Sequence, residues 1–206
     1  MDFVLATKNR KKIREMKEIL SLADTSSQIY TLDDFPEYGD VVEDGDTFEA
    51  NALKKAEFIA ERTGMAAIAD DSGIEIDALN GAPGIYSARY AGEPADDTAN
   101  NRKLLDELKD VPDEKRGAKF VCCIALASND GVRTFTGYIK GKIGRENKGH
   151  NGFGYDPLFF PEGHKRTFAE MDDTEKNVIS HRAMALRELQ NYLEQIKNAK
   201  AKTDKK

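Results

Sequence analysis

The sequence predicts an α/β fold built around a mixed sheet. In the first half of the chain, short apolar runs typical of buried strands alternate with helical periodicity, as in parallel strand–helix units. Apolar strands then cluster between residues 120 and 143. We find no internal repeat and no linker long enough to divide the 206 residues, so we predict a single domain over residues 1–197.

The first two predicted helices differ in their caps. Residues 3–6 form a buried strand that leads directly into the first helix, with Thr7 or Asn9 as its cap. The apolar face of this helix consists of residues at helical spacing: Ile13, Met16, Ile19 and Leu20. After a polar stretch, a second helix is predicted to begin near Asp46, because Glu49 three residues later completes a capping box.

The central part of the chain predicts strands separated by turns. Residues 65–69 indicate a buried strand, and the Asp-Asp-Ser-Gly sequence of residues 70–73 predicts the turn that ends it. Alternation over residues 74–78 predicts a half-exposed strand. A loop rich in glycine and proline over residues 80–95 follows, and Asp97 then caps a further helix.

The last third of the chain ends in a helix and a basic tail. Residues 120–127 form a strong strand, and residues 134–143 supply one or two more. The final helix carries leucines and an isoleucine at helical spacing: Leu186, Leu189, Leu193 and Ile196. Residues 198–206 are rich in lysine, and we predict that this tail is disordered.

Composition excludes several classes of function. The net charge of −6 argues against a partner that is a nucleic acid polymer, because proteins that bind one need a basic footprint. No signal sequence is apparent and no run of 18 apolar residues occurs, so we expect a cytoplasmic protein without a membrane partner. The adjacent Cys122 and Cys123 predict reduced core thiols, and the three scattered histidines lack zinc-site spacing.

Residues 7–12 are a candidate phosphate site at the junction between the first strand and the first helix. A helix N-terminus offers unbonded N–H groups and the positive end of the helix dipole, which together favour phosphate. Basic side chains in the first turn oppose the dipole, and this local conflict indicates a bound anion. The alternative is an ordinary capped helix with a solvated basic turn, since the glycines of a Walker loop are missing.

Carboxylates form a second candidate site. Asp70 and Asp71 follow an apolar strand, where adjacent carboxylates suit metal binding or general-base chemistry. The acidic residues 43–46 precede a helix on which Asn51 and Lys55 share a face, because they lie four residues apart. The alternative interpretations are an aspartate-rich turn and a solvated acidic loop.

Two later segments combine an aromatic ring with hydrogen-bond donors. Glycines flank Phe153, which suits an exposed ring that stacks on a base. Lys176, His181 and Arg182 are donors within seven residues, and arginine suits planar recognition of keto groups or phosphate. The alternatives are a core phenylalanine, solvated cations and a structural histidine.

Together and in this order, these segments resemble the inosine/xanthosine triphosphate pyrophosphatase family, whose members act on non-canonical purine nucleotides. The resemblance extends from Phe3 to about Ile196, and six segments in register make it highly specific. The matching segments are Leu5-Ala6-Thr7-Lys8-Asn9 with Lys12, Thr47-Phe48 with Asn51-Ala52 and Lys55-Ala56, Ala69-Asp70-Asp71-Ser72-Gly73, Gly81-Ala82-Pro83-Gly84-Ile85-Tyr86-Ser87-Ala88-Arg89-Tyr90, Phe153-Gly154-Tyr155-Asp156-Pro157, and Glu175-Lys176 with Ser180-His181-Arg182.

The resemblance implies both an architecture and an activity. The expected fold is elongated, with flanking helices and two lobes around a central cleft, and the expected assembly is a homodimer. The expected reaction is magnesium-dependent hydrolysis of ITP, dITP and XTP to the monophosphate and pyrophosphate. Such an activity removes damaged nucleotides from the precursor pool.

The resemblance also assigns roles to residues. Asp71 is the expected proton acceptor and binds Mg²⁺ together with Glu43, although Asp44 or Glu49 could replace Glu43 because the acidic loop shifts register among relatives. The triphosphate is expected to contact basic and polar residues: Thr7, Lys8, Asn9, Arg10, Lys11, Lys12 and Lys55. The rest of the nucleotide is expected to contact a second set: Ser72, Phe153, Gly154, Tyr155, Asp156, Lys176, His181 and Arg182.

Two other functions remain to be distinguished. A septum-type nucleotide pyrophosphatase resembles this fold, but the segment from Lys176 to Arg182 argues against it. A nucleotide sensor without catalysis would need the phosphate and base sites but not the adjacent Asp70 and Asp71. A turnover assay with ITP separates these alternatives.

Overall fold

The polypeptide forms a six-stranded mixed sheet with helices on both faces. The structure, a computed structural model, describes residues 2–21, 27–38 and 41–203. Its strands are β1 (Phe3–Leu5), β2 (Ile29–Thr31), β3 (Ala66–Ile76), β4 (Gly117–Ser128), β5 (Gly131–Ile143) and β6 (Phe159–Pro161). Its α-helices are α1 (Arg10–Ser21), α2 (Phe48–Thr63), α3 (Asp97–Glu107), α4 (Asp173–Ile179) and α5 (His181–Thr203). The predicted α/β fold with a mixed sheet is confirmed.

The short first strand leaves the second half of β3 without a parallel neighbour. The sheet runs β2-β1-β3-β4-β5-β6, with β1 parallel to β2 and β3 and the remaining pairs antiparallel. The short β1 ends at Leu5, opposite Ile68, so β3 continues past the carboxyl end of its parallel neighbour. Residues of β3 beyond Ile68 therefore lie next to the segment that leads into α1.

The predicted turn at residues 70–73 is wrong, because β3 runs through them without a break. All of these residues pair with β4, and Asp71 lies opposite Cys123. Ile74 and Ile76 are fully buried instead of belonging to a half-exposed strand. The ladder with β4 satisfies the backbone groups, so the sheet overrides the local preference of Asp, Ser and Gly for turns.

The helix caps differ from the predicted ones by one residue in two places. Asn9 caps α1 as expected, but Thr47, rather than Asp46, caps α2 by accepting the N–H of Ala50. Similarly, Asp96 rather than Asp97 caps α3. A neighbouring residue of the same capping class was available in each case, and sequence alone does not choose between such neighbours.

Alternate strand residues fill cores on opposite faces of the sheet. The core under α1 and α5 contains Leu5, Ile68 and Cys122, whereas the core under α2 contains Cys123. A further cluster around Phe159 packs at the far end of β4 and β5. Both cysteines are free and buried, as predicted. In the described part of the chain, no helix has the length and hydrophobicity needed to cross a bilayer.

The predicted final helix is α5, and a short helix, α4, precedes it across Ser180. Its extended backbone separates α4 from α5, and its hydroxyl accepts the N–H of Ala183, so His181 and Arg182 lie at the start of α5. Helix α5 continues to Thr203, which differs from the disorder predicted from Asn198, because alanine and lysine extend a helix at little cost. Residues 204–206 of the predicted tail lie outside the described residues. The domain boundary at residue 197 stays a prediction.

Candidate active site

A cavity of about 320 Å³ lies beside β3, at the N-termini of α1 and α5. All six segments that carry the family resemblance contribute to its lining. Of the residues predicted to bind metal or substrate, all line the cavity except Arg10 and Lys11, and the carboxylate candidate Asp70 lies behind the lining. The fold therefore places around one cavity the residues predicted to contact the phosphates, the metal and the base.

At the start of α1, side chains rather than unbonded backbone N–H groups are available to bind a phosphate. Asn9 Oδ1 accepts the backbone N–H groups of Lys11 (3.0 Å) and Lys12 (3.2 Å). Thr7 Oγ1 accepts the N–H of Asn9 at 3.2 Å. These three N–H groups therefore have partners already, contrary to the expectation that they await a phosphate. The Lys12 ammonium, 3.0 Å from Asp70 Oδ2, is the cation that α1 presents to the cavity.

Arg10 points away from the cavity, whereas Lys11 contacts two residues that line it, Asp97 and Phe153. Residues two positions apart in a helix are separated by about 200° around its axis, so Arg10 and Lys12 lie on different faces of α1. The Arg10 guanidinium lies 2.6 Å from Asp33 and is exposed, which places it outside the site predicted to hold the triphosphate. The Lys11 ammonium lies 3.3 Å from Asp97, a residue that itself lines the cavity.

Asp71 is held at one wall of the cavity by neutral donors. Its Oδ2 accepts the side-chain amide of Asn51 at 3.0 Å, and its Oδ1 accepts the N–H of Ser72 at 3.0 Å. The Lys55 ammonium lies farther away, 3.9 Å from Oδ1, because it donates to Glu43 at 2.6 Å. Burial therefore outweighs the nearby cations and raises the pKa of Asp71 above that of an ordinary aspartate.

The acidic loop directs only one of its candidate metal ligands into the cavity. Glu43 lines the cavity and contacts Lys55. Asp44 is instead exposed and paired with Lys54 at 2.5 Å, and Glu49 accepts the hydroxyl of Thr134 at 2.7 Å. The structure therefore favours Glu43 over these two alternatives.

The pair of Glu43 and Asp71 fits Mg²⁺ through the chemistry of its donors. Both carboxylates supply hard oxygens, and both approach the ammonium of Lys55, so a cation already lies between them. Within the residues that the structure describes, no group of three or more His, Cys, Asp or Glu residues could hold a metal ion. Two carboxylates suffice for Mg²⁺, because this ion keeps several waters and takes further ligands from substrate phosphates.

Asp70 faces the opposite side of β3 from Asp71, because successive strand residues alternate between faces. It is fully buried, and its Oδ2 contacts Lys12 at 3.0 Å and Arg182 at 3.1 Å. Burial alone would raise the pKa of Asp70, but these two cations and Lys55 hold it well below the usual range. Asp70 is therefore a permanent anion that fixes cations rather than a group that exchanges protons.

A second buried carboxylate, Glu15, joins the cations of α4 and α5. It accepts from Lys176 at 2.8 Å and also from Arg182, and Lys176 additionally donates to Asp156 at 2.7 Å. We define the buried ion network by its members: Lys12, Glu15, Asp70, Asp156, Lys176 and Arg182. The network leaves particular donors unused: Lys176 has a third ammonium proton, and the Nε–H of Arg182 has no partner.

Aromatic rings form the remaining wall. The Phe153 ring lies beneath Lys176 (4.9 Å from the ammonium to the ring centroid) and Arg182 (5.7 Å). His181 stacks on Phe120, with 4.8 Å between centroids and an angle of 8° between planes. Burial, followed by the charges of Arg182 and Lys176, lowers the pKa of His181 well below its usual value, so this imidazole is neutral at pH 7.

Sequence reasoning missed Glu15 and did not assign Asn51 to the site. Glu15 lies three residues after Lys12 and four before Ile19, so all three share a face of α1. A glutamate between a predicted site residue and a core residue was therefore a usable signal. For Asn51, the signals were its shared face with Lys55 and its place in one of the segments that match the family.

Comparison with known proteins places this arrangement in a family. Residues 3–192 match the family model described as the Ham1 family. The chain is 51% identical over 197 residues to the dITP/XTP pyrophosphatase of Desulforamulus reducens, covering 95% of this chain and 97% of that protein. It is also 51% identical over 191 residues to the dITP/XTP pyrophosphatase of Geobacter sulfurreducens, covering 92% and 95% of the two chains.

Solved structures share the fold. A HAM1 protein from Coxiella burnetii superposes with a TM-score of 0.86 at 43% identity, over 95% of this chain and 99% of that one. The nucleoside-triphosphatase, or dITP/XTP pyrophosphatase, of Mycobacterium abscessus gives a TM-score of 0.75 at 46% identity, over 92% and 98% of the two chains. The mixed sheet with flanking helices is therefore an architecture that these proteins have in common.

We predict that Glu15→Ala lowers the free energy of unfolding by about 3–5 kcal/mol, because it leaves buried Lys176 and Arg182 without one of their shared counter-charges. Urea unfolding followed by circular dichroism measures the change. Glu61→Ala, which removes an exposed glutamate from α2, is the matched control and should change stability by no more than about 0.5 kcal/mol. Equal effects of the two substitutions would contradict a role of Glu15 in holding the network.

Proposed function

Because this chain belongs to the Ham1 family, we propose that it is a dITP/XTP pyrophosphatase that also hydrolyses ITP, releasing the monophosphate and pyrophosphate. The observation that carries this proposal is the composition of a single cavity. It combines lysines suited to a polyphosphate, two carboxylates suited to Mg²⁺ and an aromatic ring beneath buried donors. The activity would remove damaged purine nucleotides from the precursor pool.

We propose that the triphosphate lies between α1 and α2. Lys12 and Lys55 both line the cavity, and their ammonium groups would offset charge that develops on the phosphate oxygens. Water would attack the α-phosphorus, the bond between the α-phosphorus and its bridging oxygen would break, and pyrophosphate would leave. Asp71 would accept the proton from the attacking water, since its carboxylate lies at the cavity wall with both oxygens oriented by neutral donors.

Glu43 and Asp71 are the residues that we propose for Mg²⁺. When bound, this ion would neutralise phosphate charge and help to orient the reacting groups. The contact of Asn51 with Asp71 Oδ2 would keep the carboxylate facing the ion and the water. Ser72 supports the same orientation, since its N–H binds the other oxygen.

We propose that the base is recognised between Phe153 and the donors of α4 and α5. Hypoxanthine and xanthine carry a keto oxygen at position 6, where adenine carries an amino group. Lys176 and Arg182 both line the cavity, and their side chains can only donate hydrogen bonds, so a keto oxygen satisfies them and an amino group does not. A site of this kind can discriminate by roughly 10⁴ or more.

Three broader expectations remain proposals that rest on family membership. The first is an elongated shape with two lobes around the cleft, and the second is a cytoplasmic location. The third is a homodimer, which is compatible with two large exposed side chains of the kind enriched at interfaces, Tyr86 and Tyr138. Sedimentation equilibrium would measure the assembly state.

We expect ITP to yield IMP and pyrophosphate in a one-to-one ratio, and EDTA to abolish the reaction. The physical reason is that the proposed carboxylate pair supplies a metal site whose ion offsets phosphate charge. Ion-exchange chromatography of the products, with dITP and XTP in parallel, checks this expectation. The appearance of IDP and orthophosphate would exclude pyrophosphatase chemistry, and tight binding of ITP without turnover would instead indicate a sensor.

Asp71→Asn should lower kcat by about 10²-fold or more, because the amide can neither accept the proton nor bind the metal as a carboxylate does. Steady-state kinetics with ITP measures the loss, and thermal melting tests whether the variant stays folded. Asp44→Asn is the matched control: it removes an exposed carboxylate near the same cavity and should leave kcat nearly unchanged. If the folded Asp71 variant retains near-full activity, this residue is not catalytic.

Arg182→Ala and Lys176→Ala should each reduce kcat/KM for ITP far more than for ATP, so that the ITP/ATP ratio falls. The reason is that only the keto base gains hydrogen bonds from these donors. Phe153→Ala serves as the comparison and should weaken all purines by a similar factor, because stacking does not distinguish them. Loss of the same factor for ITP and ATP in both cation variants would assign these residues to phosphate binding or to structure.

A further inference from the structure

No residue of helix α3 was predicted to belong to the site, yet its first residue, Asp97, lines the cavity and the helix holds two segments of the cavity wall. Asn100 donates to the carbonyl of Ala88 at 2.9 Å and accepts the N–H of Ala91 at 2.7 Å. These contacts fix the segment that contains Arg89, another lining residue. The neighbouring turn of α3 reaches the opposite segment, which carries Phe153.

Two residues of α3 bind both polar groups of Gly154. Asp97 Oδ2 accepts the N–H of Gly154 at 2.9 Å, and Asn101 Nδ2 donates to its carbonyl at 3.0 Å. Asp97 and Asn101 can act together because they lie four residues apart on one face of the helix. We call this pair of side chains the Gly154 clamp. Gly154 has φ of 60°, a left-handed conformation that favours glycine.

The clamp determines where the Phe153 ring can point. The N–H of Gly154 belongs to the peptide group that joins it to Phe153, so Asp97 fixes the backbone on one side of the ring. Asp156 Oδ2 accepts the N–H of Phe153 at 2.8 Å and fixes the backbone on the other side. With the backbone held on both sides, the ring is kept beneath Lys176.

We propose that Asp97 and Asn101 are positioning residues that hold Phe153 as the stacking surface for the purine base. This inference rests on the proposed function, since it needs a purine to bind there. Asp97 also contacts Lys11, but the clamp requires only an oxygen acceptor at this position and not a negative charge. Asparagine should therefore preserve the clamp while abolishing the ion pair, and alanine should remove both.

The test is a double-mutant cycle in the full-length protein with ITP as substrate. Asp97→Ala should raise KM about tenfold and leave kcat within about twofold, because stacking is an interaction made equally in the ground and transition states. Asp97→Asn should restore KM to within about twofold of the unsubstituted protein. In the Phe153→Ala background, Asp97→Ala should have almost no further effect, because the ring through which it acts is absent.

Controls separate this role from a loss of structure. Asp106→Ala removes an exposed aspartate from the other end of α3 and should leave KM unchanged. Amide hydrogen exchange measured on the peptide that contains Gly154 should accelerate in Asp97→Ala but not in Asp97→Asn. If Asp97→Ala fails to give a cooperative melting transition, Asn101→Ala replaces it in the cycle, since it removes the other half of the clamp.

The possible outcomes are distinct. Absence of ITP turnover in the unsubstituted protein would overturn the proposed function together with this inference. Normal turnover combined with an additive effect of Asp97→Ala and Phe153→Ala would overturn the positioning role alone. Failure of Asp97→Asn to restore KM would show that the ion pair with Lys11, and not the clamp, accounts for the effect.

Discussion

Two buried carboxylates determine the arrangement of the cavity. Asp70 fixes Lys12 and Arg182, and Glu15 fixes Arg182 and Lys176. Charges of this kind are stable in an interior only when each is paired and hydrogen-bonded, so every cation must stay close to its carboxylate. The network thereby joins α1, β3, α4 and α5, and it orients three cations for which the sequence left a solvated position as the alternative.

The same network links the proposed ends of the substrate. Lys12 lies towards the phosphate end and Lys176 towards the base, and the chain of contacts between them runs through Asp70, Arg182 and Glu15. The two proposed ends of the substrate are therefore joined by a continuous chain of ion pairs between side chains.

Much of the fold and of the site could be predicted, because periodicity and short motifs act over a few residues. The apolar face of α1 and the cap at Asn9 followed from local spacing and were confirmed. The predicted turn at residues 70–73 failed because pairing with β4 is a distant interaction. Glu15 was missed for the same reason: its partner Arg182 is 167 positions away in the chain, and a lone glutamate on a helix ordinarily indicates a surface.

The alternation of Asp70 and Asp71 along β3 has a consequence for how this sequence can change over evolutionary time. Sliding β3 by one residue against β4 would turn Asp70 towards Asn51 and Asp71 towards Arg182, exchanging the two carboxylates between opposite faces of the sheet. Loops elsewhere can gain or lose residues without this exchange. Within Ala66–Ile76, by contrast, a single insertion or deletion would exchange the positions of Asp70, the counter-ion, and Asp71, the candidate base. We therefore expect related sequences to differ in this strand by substitutions and not by insertions or deletions.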